Sequence, residues 1–256
     1  MVFRLDKKRI AQCFRRSLLT YDDAAIVQNK LARRLVQSLD CLPETAFHRV
    51  LEIGCCTGGL SELLCAEKAI QTLYLNDLVS AFEEVVLNRL SHLTSTQLIP
   101  CFGDIETLQL PSDLTCILSG ATFQWLGDLS SFIEHLGREL QPGAFLAFSM
   151  FGPGTLKEFS SLTSVELHYH SDHEILTLLE QDFIIESYNN FEDQLFFLSV
   201  REILNHIRAT GVGGVSEFQW KKETLKLFKG SYVAEYEEEK GLPVSYASSC
   251  YVARRR

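Results

Sequence analysis

The sequence predicts an α/β domain, a mostly parallel β-sheet with helices on both faces. Three observations carry that reading. Strand-like and helix-like segments alternate between residues 47 and 150. A glycine turn, Gly54-Cys55-Cys56-Thr57-Gly58-Gly59, lies between the first strand and the first helix of that stretch. An acid, Asp77, closes the next strand 23 residues beyond Gly54. A parallel sheet binds ligands at the carboxyl ends of its strands, and such a turn lets backbone N–H groups approach them.

The elements follow in order. Residues 6–40 read as helix with few breakers, and Leu31, Leu35, Val36 and Leu39 recur at helical spacing. Pro43-Glu44 opens a loop. Phe47 to Ile53 is β-rich and Leu60 to Ala66 helical. Thr72 to Leu75 is a short strand, followed by a helix over Ser80 to Leu93 with apolar Phe82, Val85, Val86 and Leu90. Leu114 to Leu118 is a buried strand, Phe132 to Leu140 a helix, and Ala144 to Met150 a strand entered through the turn Gln141-Pro142-Gly143. Gly152-Pro153-Gly154 is a joint. Ser171 and Glu174 form a capping box that starts a helix. Phe191 to Val200 reads as strand and Arg201 to Thr210 as helix, ended by Gly211-Val212-Gly213-Gly214. Residues 220–230 form a lysine-rich helix, Tyr232 to Lys240 a solvated helix face, and Tyr246 to Val252 a last strand.

Composition narrows the function classes. No window reaches the roughly 18 apolar residues of a membrane helix, and the basic N-terminus has no apolar core of a secretory signal. The expected compartment is the cytoplasm. The eight cysteines include no C-x-x-C pair and are expected to be reduced packing residues. The net charge of −9 is uneven: residues 1–34 carry nine Lys/Arg against three Asp, so the remainder carries −15. That acidity disfavours nucleic acid. The segment His168-Tyr169-His170-Ser171-Asp172-His173 lacks a partner at ligand spacing, so no metal is expected.

A glycine turn with an acid about 20 residues on suits a dinucleotide and S-adenosylmethionine (SAM) alike. Two further acids separate them. Glu52, just before the turn, would repel a pyrophosphate but suits the α-amino group of a methionine moiety. Asp104, in Phe102-Gly103-Asp104-Ile105-Glu106, can accept from an exocyclic amine such as that of adenine.

Over residues 47–150 the pattern resembles the class I SAM-dependent methyltransferases, whose Rossmann-like fold has a seven-stranded, mostly parallel sheet and, here, a helical lid. One position departs: Cys56 stands where that family carries its middle glycine. The flanks resemble a narrower group. Phe14-Arg15-Arg16-Ser17, Tyr21-Asp22-Asp23-Ala24-Ala25 with Gln28, Ser119-Gly120-Ala121-Thr122-Phe123-Gln124-Trp125 and Gly154-Thr155-Leu156-Lys157-Glu158 are similar to the biotin-pathway malonyl-carrier-protein O-methyltransferases. So are Ile207-Arg208-Ala209-Thr210-Gly211 and Leu242-Pro243-Val244-Ser245-Tyr246.

The resemblance implies methyl transfer from SAM to the free carboxylate of a malonyl group on acyl carrier protein, the step that initiates pimeloyl synthesis for biotin. It implies a lid over 1–45, a SAM-binding core over 46–150, and a cap with C-terminal strands over 151–256. Cofactor contacts are expected at Tyr21, Gln28, Glu52, Gly54, Cys56, Gly58, Asp77, Leu78, Asp104, Ile105 and Ser119. Tyr21 and Gln28 are seven apart, on one face if one helix holds both. Tyr21, Gln124 and Trp125 are expected to position the reactants, with Gln124, Trp125 and Arg208 at the substrate. A carboxylate is already ionised, so no general base is required. The acidic carrier is expected to dock on Arg15, Arg16, Lys222, Lys226 and Lys229, on a monomer. Two alternatives stay open: a free small acid or quinone-type acceptor, and a SAM-fold binding protein without turnover.

Overall fold

The computed structural model describes residues 6–163, 169–211 and 221–256. Seven strands build one sheet: β1 (Arg49–Ile53), β2 (Thr72–Asn76), β3 (Gln97–Pro100), β4 (Cys116–Gly120), β5 (Phe145–Phe151), β6 (Phe183–Phe197) and β7 (Leu242–Arg255). Their order is β3-β2-β1-β4-β5-β7-β6. The first five are parallel, and β7 runs antiparallel to both β5 and β6. The central strands are apolar on both faces, because helices cover both. Pro100 has no N–H to give a ladder and sits on the edge strand β3.

Ten helices accompany the sheet among the described residues: α1 (Lys7–Ser17), α2 (Tyr21–Ala24), α3 (Ile26–Ser38), α4 (Gly59–Glu67), α5 (Glu83–Arg89), α6 (Leu129–Glu139), α7 (Lys157–Ser160), α8 (Asp172–Asp182), α9 (Val200–Ala209) and α10 (Lys222–Tyr236). On one face, Leu31 and Leu35 of α3 pack with Leu64 of α4 and Leu73, Leu118 and Ala147 of the sheet. On the other, Phe132 and Leu136 of α6 and Ile175 and Leu179 of α8 pack on Ile117, Leu146 and Phe148. Helix α8 starts with the expected capping box of Ser171 and Glu174.

Four sequence expectations change. The single helix over 6–40 is three helices. The chain turns at Thr20, whose hydroxyl donates to the carbonyls of Ser17 and Ala209, and again at Ala25, fully buried with ψ of 43°. Only α1 and α2 stand over the carboxyl end of the sheet, while α3 is a core helix. The strand expected over Phe191 to Val200 begins at Phe183 and stops at Phe197; Ser199 then caps α9 by accepting from the Glu202 N–H. The strand, whose first half holds Glu186, Asn189 and Asn190, is extended because fourteen of its fifteen residues pair with β7, and pairing overrides local preference. Tyr232 is not on a solvated face: it is fully buried, and its hydroxyl donates to the Pro243 carbonyl at 2.7 Å. The helix of Ser80 to Leu93 is shorter, a 3-10 turn followed by α5.

All eight cysteines are free thiols. Among the described residues, no helix is long and apolar enough to cross a membrane, and no group of His, Cys, Asp and Glu could hold a metal ion. His168 and residues 212–214, singled out in the sequence, lie outside the described residues.

Candidate active site

The carboxyl ends of β1, β2, β3 and β4 surround a cavity of about 690 Å³. Gly54 and Cys56 follow β1, Asp77 and Leu78 follow β2, Gly103 to Ile105 follow β3, and Gly120 to Thr122 close β4. Lys7, Ile10 and Phe14 of α1 and Tyr21 of α2 form the roof.

The turn after β1 is shaped by backbone bonds. The N–H groups of Gly54 and Cys55 both donate to the Asn76 carbonyl, at 2.8 and 2.9 Å, which locks the end of β1 to β2. Gly54 has φ of +78°, and a Cβ there would lie 2.0 Å from Thr122 Oγ1. Cys56 is also left-handed, at φ of 48°. A side chain there typically costs about 1–2 kcal/mol. Its N–H donates to Asp77 Oδ2 at 2.9 Å, and its side chain meets the Tyr21 hydroxyl of the roof.

Asp77 Oδ1 accepts from the Val79 N–H at 2.8 Å. Each carboxylate oxygen thus holds one backbone N–H and keeps a further lone pair free. Burial pushes its pKa up to about 6, opposed by those two N–H donors. The Asn76 amide donates to the carbonyls of Cys101 and Gly103, at 2.8 and 3.1 Å, and so presents Gly103-Asp104 at the cavity. Glu52 lies beneath the turn, fully buried. It accepts from the Ser61 hydroxyl, and its Oε1 has no partner. Burial raises its pKa to about 7.

Two ionic ties hold the roof. The Lys7 ammonium is 2.6 Å from Asp104 and also pairs with Glu106. Asp22 of α2 accepts from the Thr57 hydroxyl at 2.6 Å and pairs with Arg89 of α5, whose guanidinium also reaches the Thr57 carbonyl.

A second cavity, about 360 Å³, adjoins the first. Trp125 lines both and meets Phe14 edge-on, ring centres 5.6 Å apart. The second cavity is walled by Gln28, Gln124, Thr210 and Tyr246 with apolar Phe151, Leu156 and Ile207. The Tyr246 hydroxyl is 2.8 Å from His206 Nε2.

Of the residues the sequence singled out, Tyr21, Gly54, Cys56, Asp77, Leu78, Asp104, Ile105 and Trp125 come together around the larger cavity. Gln28 and Gln124 line the smaller one. Tyr21 and Gln28 do not share a helix face: the break at Ala25 puts them in different helices and different cavities. Glu52, Gly58 and Ser119 lie outside the lining. Gly58 is left-handed at φ of +86°, with Val86 against it, and the Ser119 hydroxyl donates to the Ile53 carbonyl at 3.0 Å. Arg208 does not face the cleft. It is exposed and lines neither cavity, because α9 turns Ile207 and, just beyond its end, Thr210 inward instead.

Lys7, Phe14, Asn76 and Thr122 also line the larger cavity and were not singled out for it. Lys7, Ile10 and Phe14 fall at i, i+3, i+7, a one-face pattern visible in the sequence but overshadowed by the charge of that segment.

The residues fit SAM. A tight turn of Gly54 and Cys56 at the cavity wall and an acid with free lone pairs on both oxygens suit an extended ligand with a vicinal diol. Comparison with known proteins agrees. Residues 51–148 match the model of a methyltransferase domain. A malonyl-[acyl-carrier protein] O-methyltransferase of Chlorobium phaeovibrioides is 34% identical over 98% of this chain and 97% of its own. One of Acinetobacter baylyi is 31% identical over 100% and 99%. Among solved structures, the N-methyltransferase NodS from Bradyrhizobium japonicum, in complex with S-adenosylhomocysteine, superposes with a TM-score of 0.55 at 15% identity, over 96% of this chain and 98% of its own. The chain is a SAM-dependent methyltransferase of the class I fold, and it belongs to the malonyl-[acyl-carrier protein] O-methyltransferase family.

Proposed function

We propose that the chain methylates the free carboxylate of a malonyl group carried on acyl carrier protein. The observation that carries this reading is the pair of adjoining cavities with Trp125 as their common wall. SAM belongs in the larger cavity: Asp77 accepts from its ribose hydroxyls, Asp104 and Ile105 flank the adenine, and Gly54 and Cys56 let the methionine portion approach. Bound SAM supplies a methyl whose C–S bond breaks as a carboxylate oxygen bonds to the carbon; the electron pair stays on sulfur and no proton moves. The protein's part is to align the oxygen and exclude water. The roof of Phe14 and Tyr21 serves that exclusion.

The carrier docks on the lid side. Helix α9 packs against both α1 and α10. Arg15 and Arg16 on α1 and Lys222 and Lys226 on α10 are exposed, with Lys229 half-buried. Exposed Leu19 and Leu227 add apolar contact beside those charges. An acidic carrier would meet this face with complementary sign.

Two measurements test the reading. Incubation with SAM and malonyl-carrier protein is expected to yield a methyl ester detectable by mass spectrometry, with malonyl-pantetheine a weaker substrate and free malonate weaker still. No ester on any of the three would refute it. Charge reversal at Arg15, Arg16, Lys222 and Lys226 is expected to raise the KM for malonyl-carrier protein about tenfold or more, with the rate on malonyl-pantetheine unchanged. An unchanged carrier KM would refute the docking face.

The pKa of Asp77 sets a pH dependence. Two ribose hydroxyls are accepted more strongly by the ionised carboxylate than by the neutral acid, so S-adenosylhomocysteine binding should release a proton near the pKa of about 6 and none two units above it. Calorimetry in buffers of different ionisation heat reads this directly. Stability runs the other way. The folded pKa values of Asp77 and Glu52, about 6 and about 7, lie above their ordinary values, so their contribution is fully present below pH 4 and is lost as pH rises through 7.

A further inference from the structure

The smaller cavity has a chemistry of its own. Among the described residues, none of its walls is charged. Its polar groups are amides and hydroxyls: Gln28, Gln124, Thr155, Thr210, Tyr169 and Tyr246. Two of them are incompletely satisfied. Gln28 Oε1 and Gln124 Oε1 are buried and have no hydrogen-bond partner. A buried amide left without a partner costs roughly 1–3 kcal/mol, so proteins retain such groups where a ligand completes them. The two amides come from distant parts of the chain, α3 and the turn after β4, and meet only at this cavity.

We infer that this cavity is the acceptor subsite and that the carboxylate is oriented in it by the neutral donors of Gln28 and Gln124, with Gln28 serving the acceptor and not the cofactor. The inference rests on the reading of the chain as a carboxyl methyltransferase. Both residues line this cavity, and an amide NH₂ of each turned to it gives a carboxylate its donors. The Tyr246 hydroxyl stands at the same wall, 2.8 Å from His206 Nε2, and adds a donor when His206 carries its proton on that nitrogen.

A neutral subsite suits this reaction for an electrostatic reason. The reactants are an anion and a sulfonium cation, and the products are an ester and a thioether, both uncharged. Charge disappears along the reaction. A guanidinium against the carboxylate would stabilise the reactant more than the transition state and slow the step. Amides fix direction with less of that penalty. They also release the ester readily, because it keeps an acceptor oxygen for them and carries no charge to trap. The exposed position of Arg208 agrees with such a subsite.

The test is kinetic and needs separate readouts for the two ligands. Gln28→Leu and Gln124→Leu are each expected to raise the acceptor KM about tenfold, with the dissociation constant of S-adenosylhomocysteine held within about twofold. Gln28→Glu, nearly isosteric, should raise the acceptor KM more, since it sets like charge against the carboxylate; it also keeps the test open if the leucine variants fold poorly. Gln124→Arg should lower acceptor KM and kcat together. If Gln28→Leu weakens S-adenosylhomocysteine instead and leaves acceptor KM alone, Gln28 belongs to the cofactor and the inference falls. Unchanged constants for both ligands also overturn it. A wild-type protein that esterifies no malonyl acceptor defeats the parent reading, and the subsite with it, before any variant is made.

Discussion

Asp77→Ala is expected to weaken S-adenosylhomocysteine binding by about a hundredfold or more, and to do so without unfolding the protein. Each hydrogen bond to an ionised acceptor contributes about 1.5–3 kcal/mol, and Asp77 has a free lone pair on each oxygen for the two ribose hydroxyls. Losing both removes about 3 kcal/mol at the least, which is two orders of magnitude in affinity. The same carboxylate organises the cavity, since the Cys56 and Val79 N–H groups donate to it at 2.9 and 2.8 Å. Alanine leaves both donors unpaired, so the turn after β1 loosens as well. Asp77→Asn should fall between wild type and alanine, because its one remaining oxygen replaces two. Calorimetric titration of the three proteins reads the series; an affinity unchanged in Asp77→Ala would remove this residue from the cofactor site.

Gly54→Ala is expected to be the more damaging change to the fold. The position needs φ of +78°, which costs a residue with a Cβ about 1–2 kcal/mol. The added carbon would also lie 2.0 Å from Thr122 Oγ1 and 2.8 Å from its Cβ. Overpacking of this kind costs about 1–3 kcal/mol once neighbours shift. The total is about 3 kcal/mol, equivalent to a fall of roughly 6–12 °C in Tm for a chain of this size. Relief requires Thr122 or the end of β1 to move, and both belong to the cavity wall, so methyl transfer should be lost at temperatures where the variant is still folded. Thermal unfolding followed by circular dichroism, with activity measured 20 °C below the midpoint, separates the two effects. By contrast, Cys56 already bears a side chain at φ of 48° and acts through its N–H, so Cys56→Gly should leave affinity close to wild type.

What was legible in the sequence was whatever depends on neighbours in the chain. Gly54, Asp77 and Asp104 announce themselves because strand ends, a left-handed turn and a fixed spacing are local facts, and all three reach the same cavity. The capping box at Ser171 is local in the same way. The rest depends on distant partners. Tyr21 and Gln28 part company because the chain breaks at Ala25, which packing buries fully at ψ of 43°. Lys7 joins the site through Asp104, 97 positions away. The polar first half of β6 is extended because β7 lies beside it, and Tyr232 is buried because its hydroxyl finds the Pro243 carbonyl. Cys56 is the instructive middle case. Its departure from glycine stands out in the sequence, whereas the bond from its backbone N–H to Asp77, which a glycine would also supply, is visible only in the fold.

Methyl donor and acceptor are expected to occupy two adjoining cavities that meet at Trp125. A crystal structure of the protein with S-adenosylhomocysteine and malonyl-pantetheine tests it most directly. The ribose is expected on Asp77 in the larger cavity, and the malonyl carboxylate in the smaller one, within hydrogen-bond distance of the Gln28 and Gln124 amides and facing the sulfur past the Trp125 ring. A malonyl carboxylate bound outside that cavity, or a cofactor ribose bonded elsewhere than Asp77, would contradict it.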